Sequence, residues 1–199
     1  MFSLDERIFL ALNFNGGPTV DGIMSVLSGI VIWIPFYLLI LWIVYRKYGL
    51  KKVVAFICCV ALAAGLADIF CGIFKHSGLL KDLWESFPAR LRPMFTPEIR
   101  DLAHVPSFKH GLYGTVSAHA ATITAIVFLS VITICKKWFT LLGLLVLCTI
   151  CYSRIYLACH FPKDLLLGFI TGLVAGGCLY MVQKWLFRTI DKCENQDNL

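Results

Sequence analysis

The chain has 199 residues, of which 59% are hydrophobic and 15% are charged, and its formal net charge is +6. Soluble globular domains are about 45–50% apolar and about 25% charged, so this composition excludes an ordinary soluble domain and favours a bilayer protein. In so apolar a chain, with a mean hydropathy of +0.79, membrane topology explains the basic excess better than nucleic-acid binding does. We expect one domain over residues 1–199.

The first predicted element is a short helix at the N-terminus. Ser3 suits the N-cap position, and Glu6 three residues later completes a capping box. Leu4, Ile8 and Leu12 recur every four residues and therefore share one face of this helix. An amphipathic helix of this kind is typical of the membrane interface, where we expect it to lie.

Five apolar runs follow, each close to the roughly 20 residues that a helix needs to cross the hydrocarbon. The predicted spans are about 22–45, 53–74, 118–135, 138–157 and 165–183. Helices are expected because the bilayer core offers no hydrogen-bond partner to an unpaired backbone group. The predicted fold class is all-α, a polytopic membrane helical bundle with about five transmembrane spans and an N-terminal interfacial helix.

The basic residues of the connections predict the orientation. The turns at 46–52 and 136–137 are basic and contain no acid, and further basic residues follow the fifth span. The positive-inside rule places these segments in the cytoplasm. The N-terminus, the long loop 75–116 and the segment 160–164 are then expected on the outer side of a bacterial inner (plasma) membrane.

Polar residues from several separate chain segments converge on this outer side. They are Asp68 and Lys75 near the end of span two, Arg92 in the loop, Ser117 and His119 at the start of span three, Arg154 at the end of span four, and His160 and Asp164 before span five. Charged groups at membrane depth are costly and tend to be functional. Cations, a hydroxyl and helix N-terminal amides suit a phosphate oxyanion.

Two histidines and one carboxylate can supply a nucleophile, a general acid and an orienting group. His160 and Asp164 are four residues apart, so in a helix they share one face and the carboxylate can hold one imidazole nitrogen while the other attacks. A metal site built from His119, His160 and Asp164 is the alternative. The nearby cations would repel a divalent ion, so we expect no metal and no cofactor.

These motifs resemble the type-2 phosphatidic acid phosphatase superfamily, which also contains the vanadium haloperoxidases. The segment 116–119, Val-Ser-Ala-His, is similar to its Pro-Ser-Gly-His motif, and Arg92-Pro93 is similar to the end of its first motif. Ser153-Arg154, five residues, His160, three residues and Asp164 match the spacing of its Ser-Arg…His…Asp motif. The resemblance covers most of the chain, and this last motif is the most specific.

The resemblance implies a helical bundle that dephosphorylates its substrate without a metal, through a phosphohistidine. It implies that His160 is the nucleophile, that Asp164 orients it, and that His119 protonates the leaving oxygen. The same resemblance makes Arg92, Ser117 and Arg154, with a lysine, the residues that hold the phosphate.

The chain departs from the family pattern at three positions. The motif lysine would fall at Glu85, so the phosphate-binding lysine is either Lys75, which keeps a suitable place after span two, or Lys81. Ala118 replaces a glycine, and its methyl group would crowd a phosphate if the backbone approaches closely. Val116 replaces a proline, from which we expect little effect.

Three of the patterns also have structural interpretations. Arg154 could be an interface anchor that extends its charge toward water. Asp68 is best interpreted as pairing with a loop cation for structural reasons. Gly168, Gly172 and Gly176 recur every four residues and predict a face for close helix packing.

The sequence therefore predicts a membrane hydrolase that removes a terminal phosphate from a lipid phosphate or diphosphate. Undecaprenyl diphosphate is the favoured substrate, followed by phosphatidylglycerol phosphate, phosphatidic acid and lipid A phosphate. A lipid phosphotransferase and a non-catalytic headgroup-binding membrane protein are the rivals. Lipids are the expected partners.

Overall fold

The structure is a computed structural model, and it describes residues 2–77, 83, 88–106 and 111–197. Lys81 and Glu85 lie outside the described residues. The helices are α1 (Leu4–Leu12), α2 (Gly17–Ser28), α3 (Ile34–Ile73), α4 (Pro97–Arg100), α5 (Ala118–Ile134), α6 (Lys137–Tyr156) and α7 (Pro162–Asp197), with 3-10 turns at Val31–Trp33 and Pro93–Phe95. The described residues contain no β-strand; Leu91 and Tyr113 form their one isolated β-bridge. The all-α prediction is confirmed.

Three helical segments among the described residues are long and apolar enough to cross a membrane. They are Val31–Ile73, Lys137–Tyr156 and Pro162–Gln196, and the shorter apolar helix Ala118–Ile134 lies beside them. The chain is thus an integral membrane protein. The count of five spans stays a prediction, because the first two predicted spans fall largely within α3.

Gly49 divides α3 into two arms. Its φ of 79° and ψ of 176° break the helix, in a region of backbone space that only glycine adopts without strain. The arms then lie side by side, because Tyr37, Ile40 and Leu41 of the first line the same groove as Phe56, Ile57 and Val60 of the second. This arrangement is a helical hairpin, with the predicted turn at 46–52 at its tip.

The predicted span 22–45 holds parts of two helices rather than one. α2 ends at Ser28 because Gly29 is extended, with φ of −81° and ψ of 164°. α3 then begins at Ile34 with Pro35 in its first turn, where the missing N–H of proline costs nothing. A hydropathy window does not register this break, since the connecting residues are as apolar as the helices.

The N-terminal helix α1 forms as predicted and also anchors to the bundle. The Ser3 hydroxyl accepts from the Glu6 N–H and the Glu6 carboxylate accepts from the Ser3 N–H, so the capping box is confirmed. The apolar face of Leu4, Ile8 and Leu12 is exposed. Phe9, on another face, is fully buried against Phe161 at 5.2 Å between ring centroids.

The basic connections gather at one end of the bundle. The Lys47 ammonium donates to the carbonyls of Thr133 and Ile134, at 3.0 and 3.2 Å, where α5 ends. Lys52 pairs with Asp191 and Lys51 with Glu194, both in the last turns of α7. The turn at 46–52, the end of α5 and the end of α7 therefore lie together, as expected if they share one side of a membrane.

The glycine stripe of α7 packs directly on α5. A Cβ built on Gly168 would lie 2.4 Å from the Ser117 carbonyl oxygen, and one on Gly172 would lie 2.3 Å from the Ala121 carbonyl oxygen. Neither distance is possible for a real side chain, so the two backbones touch. The packing face predicted from the spacing is confirmed, and it holds the start of α7 against the start of α5.

Gly172→Ala is expected to destabilise the bundle. Its methyl group would push α7 away from Ala121, a cost of about 1–3 kcal/mol for overpacking. The measurement is the unfolding midpoint of the purified protein in detergent.

Gly177→Ala is the matched control, because a Cβ there meets nothing within 4 Å. Alanine is a better helix former than glycine, so this variant should be as stable as wild type or slightly more stable. Equal midpoints for the two variants would contradict the packing role of Gly172.

Candidate active site

The end of α6 determines where Arg154 and His160 stand. Ala158 has a left-handed φ of 52°, the Cys159 N–H donates to the Arg154 carbonyl at 2.9 Å, and the Ala158 N–H donates to the Ile155 carbonyl at 3.0 Å. These two bonds form a Schellman motif, which satisfies carbonyls that the helix end leaves unpaired. The His160 N–H shares the Arg154 carbonyl at 3.3 Å. The way in which α6 ends therefore accounts for the five residues between Arg154 and His160.

His160 is 1% exposed and is held through both ring nitrogens. Nδ1 lies 3.0 Å from the Gly114 carbonyl oxygen, and Nε2 lies 3.1 Å from Nη1 of Arg92. Since a carbonyl oxygen only accepts, Nδ1 carries the proton and Nε2 carries the lone pair. The ring thus presents the tautomer of a nucleophile, with Nε2 directed at a cation.

Arg92 is buried and fixed by backbone carbonyls. Its Nε donates to Gly111 at 2.6 Å and its Nη1 donates to Cys159 at 2.9 Å. The guanidinium therefore brings the loop before α5 and the turn after α6 together beside His160.

Asp164 lies in the first turn of α7 and is buried. Its Oδ2 accepts from the Phe161 N–H at 3.0 Å and is 3.8 Å from Nδ1 of His160. The sequence predicts that Asp164 holds the imidazole, but the nearer acceptor is the Gly114 carbonyl. The Asp164 carboxylate instead caps its own helix and stands beside the ring.

Ser117 joins the starts of α5 and α7. It is fully buried at the N-cap of α5, where its hydroxyl accepts from the Ala120 N–H at 3.4 Å. Its own N–H donates to the Asp164 backbone carbonyl at 3.0 Å. The first-turn amides of α5, which have no intrahelical acceptor, are therefore close to the His160–Asp164 segment.

Arg154 is 3% exposed, and Nη1 donates to the Ser28 hydroxyl. Ser28 also lines a groove of about 240 Å³, and His119 and Asp68 line the same groove. We call this the polar groove; its complete lining is Ser28, Gly29, Ile30, Trp33, Tyr37, Asp68, Ala118, His119, Thr122, Ile123 and Ile150. His119 is thus exposed on the groove side of the cluster, whereas His160 is enclosed.

Lys75 is half-buried just beyond the end of α3. Burial lowers the pKa of its ammonium to about 8, and the nearby Arg92 and Arg154 act in the same direction. Lys75 therefore belongs to the same cluster of cations, whereas the other candidate lysine, Lys81, lies outside the described residues.

The surroundings keep the His160 imidazole neutral. Burial lowers its pKa well below the ordinary value, and the charges of Arg92, Lys75 and Arg154 lower it further. A neutral imidazole retains the lone pair that nucleophilic attack requires. The sequence-predicted residues Lys75, Arg92, Ser117, Arg154, His160 and Asp164 are brought together, and His119 faces the adjoining groove.

Sequence reasoning missed several residues that support the site. Gly114 supplies the acceptor for His160, and a Cβ there would lie 3.3 Å from Nδ1. Arg90 lies 3.6 Å from Asp164, 3.7 Å above the Phe161 ring, and pairs with Asp5 of α1. Arg90 is two residues before Arg92, and this proximity in sequence could have indicated that Arg90 also lies near the site. Gly114 acts through its backbone carbonyl, which every residue type has, so no sequence pattern identifies it as the acceptor.

Within the described ranges, no group of three or more His, Cys, Asp and Glu side chains is arranged to hold a metal ion. The groups that converge at His160 are instead cations and backbone amides, a set of donors that binds oxyanions.

A family model described as the PAP2 superfamily matches residues 52–188 of this chain. The lipid A 4′-phosphatase of Bacteroides thetaiotaomicron is 31% identical over 90% of this chain and 76% of its own length. The lipid A 4′-phosphatase of Porphyromonas gingivalis is 25% identical over 94% of this chain and 78% of its own length. The undecaprenyl-diphosphatase of Sulfolobus acidocaldarius is 25% identical over 83% of this chain and 72% of its own length.

The fold also has a counterpart among solved structures. The crystal structure of Aquifex aeolicus LpxE superposes with a TM-score of 0.63 and 22% identity, covering 89% of this chain and 95% of that one. At this identity the likeness concerns the fold.

The protonation of His160 is expected to make the fold less stable in mild acid. Below about pH 6.5 the unfolded chain takes up a proton at this histidine, whereas the folded chain excludes it. Stability therefore falls with pH by up to about 1.4 kcal/mol per pH unit until the folded pKa is reached.

The measurement compares unfolding midpoints at pH 7.5 and pH 5.5 for wild type and His160→Gln. The variant has no group to protonate at this position and should lose less stability on acidification. An equal loss in both proteins would contradict the neutral, buried state of His160.

Proposed function

The chain belongs to the PAP2 superfamily, and from that premise we propose that it is a membrane lipid phosphatase acting through a phosphohistidine at His160. The observation that carries the proposal is a buried imidazole whose Nε2 lies 3.1 Å from the Arg92 guanidinium, with Lys75 and Arg154 near enough to lower the pKa of His160. Arg154 Nε is also buried, and it has no hydrogen-bond partner among the described residues. Clustered cations and an unpaired donor are unfavourable until an anion joins them, and a phosphate suits that role.

A phosphorylated glycolipid of the lipid A type is the substrate that the comparisons favour. Two relatives are named lipid A 4′-phosphatase, and one of them is 31% identical over most of this chain. Undecaprenyl diphosphate, the substrate favoured from sequence, is the second candidate because a third relative is named undecaprenyl-diphosphatase. Both share a phosphate on a long apolar anchor.

In the first half-reaction, the phosphate oxygens are held by three cations, a hydroxyl and backbone amides. These groups belong to Lys75, Arg92, Arg154, Ser117 and the first turn of α5. The His160 Nε2 lone pair attacks phosphorus, an N–P bond forms, and the P–O bond to the lipid breaks. His119 delivers a proton to the departing oxygen. The arginine that now contacts Nε2 (Arg92) is then free to pair with the transferred phosphoryl group.

In the second half-reaction, a water molecule attacks the phosphorus of the phosphohistidine. His119 accepts the water proton, the N–P bond breaks, and inorganic phosphate leaves with His160 neutral again. Nδ1 remains bonded to Gly114 throughout, so the ring becomes positively charged when Nε2 is phosphorylated. The Asp164 carboxylate at 3.8 Å stabilises this charge.

A second groove supports a lipid substrate. It has a volume of about 410 Å³ and lies between the arms of α3 and α5. Ile30, Tyr37 and Thr122 line both this groove and the polar groove, so the two adjoin. We call it the apolar groove, and its remaining lining is Ile40, Leu41, Phe56, Ile57, Val60, Ala61, Ala64, Ile126 and Ser130. An acyl or prenyl chain would lie here while the phosphate reaches His160.

The proposed location is the outer face of a bacterial inner membrane. The basic connections gather at the end of the bundle where α5 and α7 finish, whereas the cation cluster is where these helices begin. The positive-inside rule makes the first end cytoplasmic. Site accessibility to a membrane-impermeant reagent in spheroplasts would test this orientation.

His160→Ala is expected to abolish phosphate release from lipid A and from undecaprenyl diphosphate. Loss of the nucleophile should lower the rate by about a thousandfold or more, and the phosphoenzyme that wild type forms with radiolabelled substrate should be absent. Arg100→Ala is the control, because Arg100 is exposed and pairs only with its neighbour Asp101 among the contacts described.

Equal rates for wild type and His160→Ala would contradict the phosphohistidine mechanism. Loss of the lipid substrate without phosphate release would favour the phosphotransferase. Binding without turnover by wild type would favour the headgroup-binding protein.

Ala61→Phe is expected to weaken the binding of long-tailed substrates. The larger side chain would fill part of the apolar groove, and loss of two buried methylene contacts at about 0.8 kcal/mol each raises KM roughly tenfold. Hydrolysis of a water-soluble phosphate monoester without a tail should be unchanged.

Leu62→Phe is the matched control for Ala61→Phe. Leu62 is the next residue, is 56% exposed and does not line the groove. A similar rise in KM for both variants would show that the apolar groove does not hold the tail.

A further inference from the structure

Asp68 lines the polar groove together with His119, and its charge is close enough to the Lys75 ammonium to raise the pKa of that lysine. Asp68 is exposed and lies near the outer end of α3. The charged side chains that hold phosphate in the proposed reaction are all cations. A carboxylate on the His119 side of the site is therefore the residue that the proposed chemistry leaves without a role.

Asp68 lines the groove beside the cluster and, as an anion, does not hold the phosphoryl group in the proposed reaction. The cations Lys75, Arg92 and Arg154 surround the enclosed His160, whereas Asp68 and His119 share the groove beside it. His119 delivers its proton to the departing oxygen in the proposed reaction. The groove that contains both residues consequently receives the leaving group.

We propose that Asp68 is a specificity-determining residue that disfavours lipid diphosphates and favours phosphate monoesters of neutral lipids or sugars. This inference rests on the proposed function. The pairing with a loop cation expected from sequence is compatible with this role, because Asp68 also acts on the Lys75 ammonium.

The reason is the charge of the leaving group. Cleavage of a monoester leaves a neutral alcohol, whose hydroxyl and neighbouring sugar hydroxyls or amides can donate to the Asp68 carboxylate. Cleavage of a diphosphate leaves a lipid phosphate, which carries negative charge into the groove. Repulsion between that phosphate and Asp68 raises the barrier for the diphosphate alone.

The test measures kcat/KM for farnesyl phosphate and farnesyl diphosphate, two probes with the same tail and different leaving groups. Wild type should prefer the monophosphate over the diphosphate more strongly than Asp68→Asn does. The substitution should shift the diphosphate-to-monophosphate ratio by about fivefold toward the diphosphate, the size expected for a partly exposed charge interaction. Asp68→Glu should restore the wild-type ratio.

A ratio of two rates from one preparation does not depend on the fraction of folded protein, so a folding defect cannot imitate the effect. Asp101→Asn makes the same chemical change at an exposed position outside the groove, and it should leave the ratio unchanged.

An unchanged ratio in Asp68→Asn would overturn the inference. Equal losses on both probes would also overturn it and would indicate that Asp68 acts through the Lys75 ammonium, whose pKa it raises. Failure of wild type to release phosphate from either probe or from lipid A would overturn the proposed function and this inference together. Release by wild type with an unaltered ratio in the variant would overturn the role of Asp68 alone.

Discussion

Backbone contact between α5 and α7 is the constraint on which the rest of the structure depends. Gly168 and Gly172 have no side chain to separate the helices, so carbonyl oxygens of Ser117 and Ala121 occupy the space that a Cβ would take. This contact brings two helix N-termini together, and the Ser117 N–H reaches the Asp164 carbonyl. The first-turn amides of α5 and the His160 segment are adjacent for that reason.

The site concentrates positive charge around a group that must stay neutral. Arg92 and Arg154 are both less than 9% exposed, and Lys75 is close enough to influence His160. Such an arrangement is costly in an apolar bundle, and carbonyls of Gly111 and Cys159 offset part of the cost for Arg92. The remaining electrostatic imbalance favours the binding of an anion beside His160.

The sequence predicts much of the fold because hydropathy and glycine spacing act locally. The capping box at Ser3, the apolar helices and the packing stripe of α7 all follow from short patterns. The break at Gly29 was not predictable, since its neighbours are as apolar as the helices they separate. Within the site, the spacing of His160 and Asp164 correctly brings them together. The Gly114 carbonyl that holds the imidazole could not be anticipated, because a backbone acceptor 46 residues away in sequence depends on tertiary structure.

The left-handed turn at Ala158 also bears on how this site can change in evolution. The interval between Arg154 and His160 is the length of a helix-ending motif, so one inserted residue would rotate the histidine out of the cation cluster. The helix before Lys75 ends in the same way, since the Ser77 N–H donates to the Gly72 carbonyl and His76 has a left-handed φ of 51°. The interval from Lys75 to Arg92 nevertheless departs from the family spacing. A search for distant relatives should therefore hold the interval between Arg154 and His160 constant and allow the interval between Lys75 and Arg92 to vary.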